Sequence, residues 1–96
     1  MAQQLSKQEA LDLAIRDAAA RAGVGALDVT TDKVEDATFP NAALGAQRAG
    51  EMSFEVISPG WTFQLSAGGQ RLEYRANGQQ VRLADFGGRN HLIYPA

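Results

Sequence analysis

The chain has no cysteine among its 96 residues. That removes disulfides, thiolate metal sites and cysteine nucleophiles together, and it fits a reducing compartment without requiring one. Histidine and tryptophan each occur once, and aromatic residues make up only 7%. No charge of one sign dominates: nine Lys and Arg against eleven Asp and Glu leave a net charge of −2. A nucleic-acid partner is therefore not expected, because such binders are usually basic. No apolar run approaches the ~18 residues of a membrane-spanning helix. The start, "MAQQLSKQEA", lacks the apolar core of a signal peptide. With Met1 as the native start the chain reads as cytoplasmic. If a leader has been removed, it reads as exported.

What is present is enough for one small core. Hydrophobic residues make up 45% and charged residues 21%, which argues against disorder. A chain of this length buries roughly 60–65% of its unfolded surface, so its stability should be modest. We read residues 1–96 as a single α+β domain, with 87–96 as a C-terminal extension.

After a frayed end at residues 1–5, "SKQE" sets Ser6 three residues before Glu9, the spacing of a capping box. The predicted helix runs to about Ala22, where Gly23 supplies a left-handed stop. Leu11, Ala14, Ile15, Ala18 and Ala22 recur at helical spacing. The stripe is thin because it is mostly alanine, so the helix can lie close on a sheet. Asp12–Arg16 and Asp17–Arg21 are i,i+4 pairs for the solvent side. Leu13 falls on the opposite face and reads as a lone exposed leucine.

A first strand is expected over Leu27 to about Ala37, with Asp32, Glu35 and Asp36 near its end. Residues Phe39 to Glu51 form a long connection rich in Ala and Gly. From 52 to 85 apolar and polar residues alternate in four runs: Met52, Phe54, Val56; Trp61, Phe63, Leu65; Leu72, Tyr74; Val81, Leu83. Turn signals separate them, which predicts a four-stranded antiparallel meander with one apolar face. With the first strand, this gives a mainly antiparallel five-stranded sheet under one helix.

Side-chain parity makes the register testable. A two-residue loop at Gly68-Gly69 sets Leu65 opposite Leu72 and Phe63 opposite Tyr74. One at Asn77-Gly78 sets Tyr74 opposite Val81, Leu72 opposite Leu83 and Glu73 opposite Arg82. A turn at Pro59-Gly60 sets Val56 opposite Phe63 and Phe54 opposite Leu65. Proline cannot take the positive φ of a tight hairpin turn, so a four-residue loop from Ser58 to Trp61 fits better. Trp61 then either packs at the sheet edge or stands exposed at a loop tip, where it would make a binding anchor. The second face, with Thr62, Gln64, Ser66, Arg71, Glu73, Arg75 and Arg82, is expected to be wet.

Catalytic apparatus is not visible. His91 has no partnered nucleophile and orienting acid at hand. Asp32, Glu35 and Asp36 lack the spacing of a calcium loop, and Gly68-Gly69 and Gly87-Gly88 do not fit a phosphate loop. No metal and no cofactor is expected, and the chain does not read as an enzyme. Leu92, Ile93 and Tyr94 are apolar enough to dock as an edge strand or against a neighbouring chain.

"FPNAALGA", "VISPGW" and "LEYR" together resemble a widespread group of small bacterial domains, often exported or lipid-anchored. Their pattern looks like Trp-Pro-Asp-x-Ser-Leu-Gly-Cys, then Val-Ile-Thr-Pro-Gly-Tyr, then Tyr-Glu-Tyr-His. The resemblance falls on Phe39, Pro40, Asn41, Leu44 and Gly45, on Gly50, on Val56, Ile57, Pro59, Gly60 and Trp61, and on Glu73, Tyr74 and Leu83. It implies a PepSY- or cystatin-like arrangement, a helix laid across an antiparallel sheet. The group's two cysteine positions fall on Ala46 and Ala84, its connection prolines on Gln47 and Ala49, and its histidine on Arg75. The resemblance implies that Ala46 and Ala84 lie close together.

The function expected from this reading is a non-catalytic protein- or peptide-binding module, of protease-inhibitor type if the loop acts as a wedge. Its candidate binding residues are Ser58, Pro59, Gly60 and Trp61, with Phe39, Pro40 and Leu44 from the connection. The alternative is an assembly subunit that self-associates through the tail or a sheet edge. The chain is expected to be a monomer or weak homodimer.

Overall fold

A computed structural model describes residues 4–95. Helix α1 spans Lys7–Ala22. The capping box is formed: the Glu9 N–H donates to Ser6 Oγ at 3.1 Å, and the Ser6 N–H to Glu9 Oε1 at 2.8 Å, satisfying two otherwise orphaned donors of the first turn. Gly23 closes the helix in the left-handed conformation. A short 3-10 turn, Ala26–Asp28, leads into five strands: β1 Thr30–Phe39, β2 Ser58–Ala67, β3 Gln70–Ala76, β4 Val81–Phe86 and β5 Arg89–Tyr94. They pair antiparallel in the order β1-β2-β3-β4-β5. The fold is α+β, one N-terminal helix on a five-stranded antiparallel sheet.

The thin helix stripe does what its composition allows. Ala10, Ala14 and Ala18 are fully buried against Phe63, Leu65, Leu72, Tyr74, Val81 and Leu83. Asp17 ties the layers together: its Oδ2 accepts from the Tyr74 hydroxyl and from Arg21 Nε, each at 2.7 Å. Burial, and then the Asp17 carboxylate, push the Tyr74 phenol well above its ordinary range. Asp12 accepts instead from Gln8 Nε2 at 2.9 Å. Leu13 is not the lone exposed leucine expected; it is half-buried and packs on the core.

The β2–β3 hairpin has the expected register, with Leu65 opposite Leu72 and Phe63 opposite Tyr74. Gly68 and Gly69 form its turn at φ 56° and 77°, which only glycine adopts freely. The β3–β4 register is two residues away from expectation: Tyr74 faces Leu83, and Ala76 faces Val81. Asn77 is not at the tip of that turn but caps it, its Oδ1 accepting from the Gln79 and Gln80 N–H groups. Arg75, not Glu73, therefore faces Arg82.

Two expectations fail at the first half of the meander. Residues 52–57 are not a strand, and Met52, Phe54, Val56 and Ile57 are all exposed. The partner of β2 is β1, with Val34 opposite Phe63 and Asp36 opposite Trp61. The turn expected at Ser58–Trp61 does not exist, because those residues begin β2 and Pro59 and Gly60 pair with Thr38 and Ala37. Leu27 is in the 3-10 turn rather than a strand and is fully exposed. The C-terminal segment supplies the fifth strand, so it docks as an edge strand of its own sheet.

The second sheet face is not uniformly wet. The connection 40–51 folds across it and buries Phe39, Ala43, Leu44 and Ala46. Side-chain donors from the β3–β4 turn and from three strands take its carbonyls in series: Gln80 Nε2 at Ala42 O (2.6 Å), Arg75 Nη1 at Leu44 O (3.1 Å), Arg82 Nη1 at Ala46 O (3.2 Å) and Asn90 Nδ2 at Gln47 O (2.8 Å). Arg82 is only 5% exposed. It forks onto Glu51, with Nη1 to Oε1 at 2.6 Å and Nη2 to Oε2 at 2.8 Å. Gln64 and Arg71 stay exposed on the part of the face that the connection leaves uncovered.

Candidate functional site

Pro59, Gly60 and Trp61 line a groove of about 560 Å³ together with Asp36, Ala37, Thr38, Asn77 and Gly78. Parity explains its position. Phe63 and Leu65 face the helix, so Trp61 and Pro59 do too, as do their partners Asp36 and Thr38. The helix begins only at Lys7 and does not cover this end of the sheet. Trp61 is half-buried and packs on the core edge, which makes it the groove wall rather than a projecting tip. The Leu5 N–H donates to Gly78 O at 2.7 Å and Lys7 Nζ lies 3.3 Å from Asp36 Oδ1, so the start of the helix borders the groove.

Gly60 has a packing reason to be glycine. A Cβ there would run into the carbonyl oxygen of Ala76 on β3. Its place after proline looked like turn chemistry, but the requirement comes from the neighbouring strand.

The connection half of the expected site lies elsewhere. Phe39 is 6% exposed and Leu44 0%. Both face the second side, where the Arg75 guanidinium lies over the Phe39 ring at 5.9 Å. Pro40 is exposed beside them. The structure thus brings Pro59, Gly60 and Trp61 together and separates them from Phe39 and Leu44, which hold the connection down. Ser58 turns its hydroxyl to Val56 O at 3.1 Å.

The surface that the sequence reading missed is the arm 52–57. Met52, Phe54, Val56 and Ile57 are 95%, 84%, 52% and 72% exposed. The Ala42 N–H holds Phe54 O at 2.9 Å, and Gln80 in the β3–β4 turn holds Ala42 O. The arm therefore lies at the same end of the sheet as Asn77, Gly78 and the groove. The signal was the strand-like alternation itself, which named these residues and assigned them to the core.

Other polar clusters resolve into local pairs. His91 Nε2 lies 3.0 Å from Phe86 O, with its ring edge-on to Phe86. Asp32 accepts from the Ser66 hydroxyl, Glu35 pairs with Lys33, and Asp36 with Lys7. No group of three or more His, Asp or Glu among the described residues is placed to hold a metal ion. A second hollow, about 640 Å³, lies on the uncovered face between Asp32, Arg71, Glu73, Arg75 and Asp85. Three carboxylates against two guanidiniums do not favour an anion there.

A family model matches residues 11–84, most of α1 through the middle of β4. The chain belongs to the family described as domain of unknown function DUF8738. No curated protein and no solved structure matches it. The DUF8738 match takes in the groove, the arm and the connection, while β5 lies beyond it. No helix of the described residues is long and apolar enough to cross a membrane.

Proposed function

We propose that this DUF8738 domain is a non-catalytic protein- or peptide-binding module that uses the end of the sheet bearing Trp61. The observation that carries it is the gathering of exposed apolar groups there, with the arm on one side and the tryptophan-walled groove on the other. Contiguous apolar surface with a polar rim marks interaction sites, and a rigid aromatic in a shallow groove suits an extended ligand. The reading keeps binding but not the wedge of an inhibitor loop, since Ser58–Trp61 lies within β2. The PepSY- or cystatin-like likeness is in keeping with a helix across an antiparallel sheet and adds nothing to the site.

The test is a displayed peptide library selected on the wild-type domain and on Thr38→Arg, which fills the groove from an exposed position. Peptides retained by wild type and lost on the variant support the reading. Equal retention by both removes the groove from it.

A further inference from the structure

The arm 52–57 has the sequence of a strand and no strand beside it. It runs without helix, turn or bend. One side is occupied: the Ala42 N–H donates to Phe54 O at 2.9 Å and the Ala43 N–H to Ser53 Oγ at 3.0 Å. In an extended chain the N–H and C=O of one residue point to the same side, and successive residues alternate. With Phe54 facing inward, the backbone groups of Ser53 and Glu55 face outward. Neither has a backbone partner among the described residues.

We propose that the arm is a homotypic pairing element, by which two copies of the chain join through antiparallel addition of arm to arm across a two-fold axis at Phe54. The inference takes from the proposed function only that this end of the molecule is a contact surface, and it names one occupant. Register singles out the arrangement. A slip of one residue sets apolar against polar side chains. Of the registers that match apolar with apolar in the middle of the arm, centring on Ser53 puts Glu51 opposite Glu55. Centring on Glu55 puts that residue opposite its own copy. Like charges directly opposite destabilise a ladder. Centring on Phe54 pairs Phe54 with Phe54, Met52 with Val56 and Ser53 with Glu55, with no like charges opposed. It is also the register in which the outward Ser53 and Glu55 exchange their backbone hydrogen bonds, leaving Phe54 as a non-hydrogen-bonded pair.

The other free edges suit a second copy less well. β1 carries Asp32, Lys33, Glu35 and Asp36 along its length, the charged guard common on edge strands. β5 runs out at Pro95, which has no N–H to donate. A ladder this short makes a weak, concentration-dependent dimer.

The absence of native cysteine makes single-cysteine variants clean probes. Cα atoms of a non-hydrogen-bonded pair lie about 4.5 Å apart, within disulfide reach. Under mild oxidation Phe54→Cys should form a covalent dimer at least about tenfold faster than Leu27→Cys, because pairing raises the local thiol concentration. Leu27 is fully exposed and serves as the control. Met52→Cys should link to Val56→Cys in a mixture and not to itself. Wild type should sediment as monomer and dimer in a concentration-dependent ratio, and Glu55→Pro, which removes an outward N–H, should shift it to monomer with an unchanged circular dichroism spectrum. Phe54→Lys serves the same purpose if Glu55→Pro does not fold. Wild type that stays monomeric at every concentration, with Phe54→Cys no faster than Leu27→Cys, would overturn the proposal. So would a dimer that survives both substitutions, or Met52→Cys linking to itself. Library selection on Thr38→Arg reads the groove alone, so either idea can fail without the other.

Discussion

At Gly60 a hydrogen stands where any other residue would set a carbon against the Ala76 carbonyl. A backbone carbonyl inside a ladder cannot swing aside, so relief requires β2 and β3 to separate. Gly60→Ala is expected to destabilise by roughly 1–3 kcal/mol, the usual cost of overpacking. An unchanged denaturant midpoint would show that the strand spacing relaxes freely. The neighbouring aromatics divide by depth. Phe63 is 0% exposed beneath the helix, whereas Trp61 is half-buried at the sheet end. Phe63→Ala should cost about 3–5 kcal/mol, the cost of a full aromatic truncation in a core. Trp61→Ala should cost clearly less. Equal losses in urea unfolding would mean that the groove wall is core.

At the scale of elements, the connection behaves as a strap held by side chains rather than by a ladder. Its anchor is the Arg82–Glu51 fork. The hydrogen bonds from Arg82 hold the Glu51 carboxyl at about pKa 2, against an opposing desolvation effect. The folded value lies below the unfolded one, so the stabilisation is fully present above about pH 4.5 and is lost as pH falls toward 2. At neutral pH it is on the order of 2 kcal/mol after allowance for a partly solvated carboxylate. Glu51→Gln should therefore be less stable than wild type at pH 7, with the gap closing between about pH 4.5 and 2. A gap independent of pH would mean that the fork contributes shape and not charge. Ala46 and Ala84 belong to the same contact: both are buried, and Arg82, two residues before Ala84 on the same side of β4, donates to Ala46 O. Ala46→Cys with Ala84→Cys should oxidise within one chain and raise the melting temperature. Two free thiols after oxidation would place the strap out of disulfide reach.

What could be read in the sequence follows from these elements. The capping box was legible from the Ser6–Glu9 spacing, and the Gly68-Gly69 hairpin because turn chemistry and side-chain parity agree there. The β3–β4 register slipped by two because a two-residue shift keeps every side chain on its face, and Asn77 can cap a turn as readily as form its tip. The β1–β2 pairing was hidden by exposure. An edge strand with water on both sides needs no alternation, so "TTDKVEDATF" carries charges while the unpaired "MSFEV" alternates cleanly. The groove was half legible: Pro59, Gly60 and Trp61 were named from their motif, but for a turn that is not there.

For the molecule as a whole, β4 is the strand covered on both faces, with Val81 and Leu83 under the helix and Arg82 and Ala84 under the strap. Both covers depend on the C-terminal strand. Ile93 packs on the core, and Asn90 holds Gln47 O in the strap. Removing residues 87–96 would bare the hydrogen-bonding edge of β4 and delete the half-buried Leu92 and Ile93, whose burial is worth about 2–4 kcal/mol together. A bared edge is also a template for non-native pairing. The truncated chain is expected to melt at a clearly lower temperature and to aggregate on heating, which differential scanning calorimetry with light scattering would detect. A melting temperature unchanged by the truncation would make β5 an ornament of the sheet, and the strap would then have to stand on Gln80, Arg75 and Arg82. The same reasoning decides how assembly should be probed. An oligomer lost on truncation could reflect a damaged sheet as easily as a lost interface, whereas Phe54 and Glu55 lie outside every strand and can be changed without touching β4.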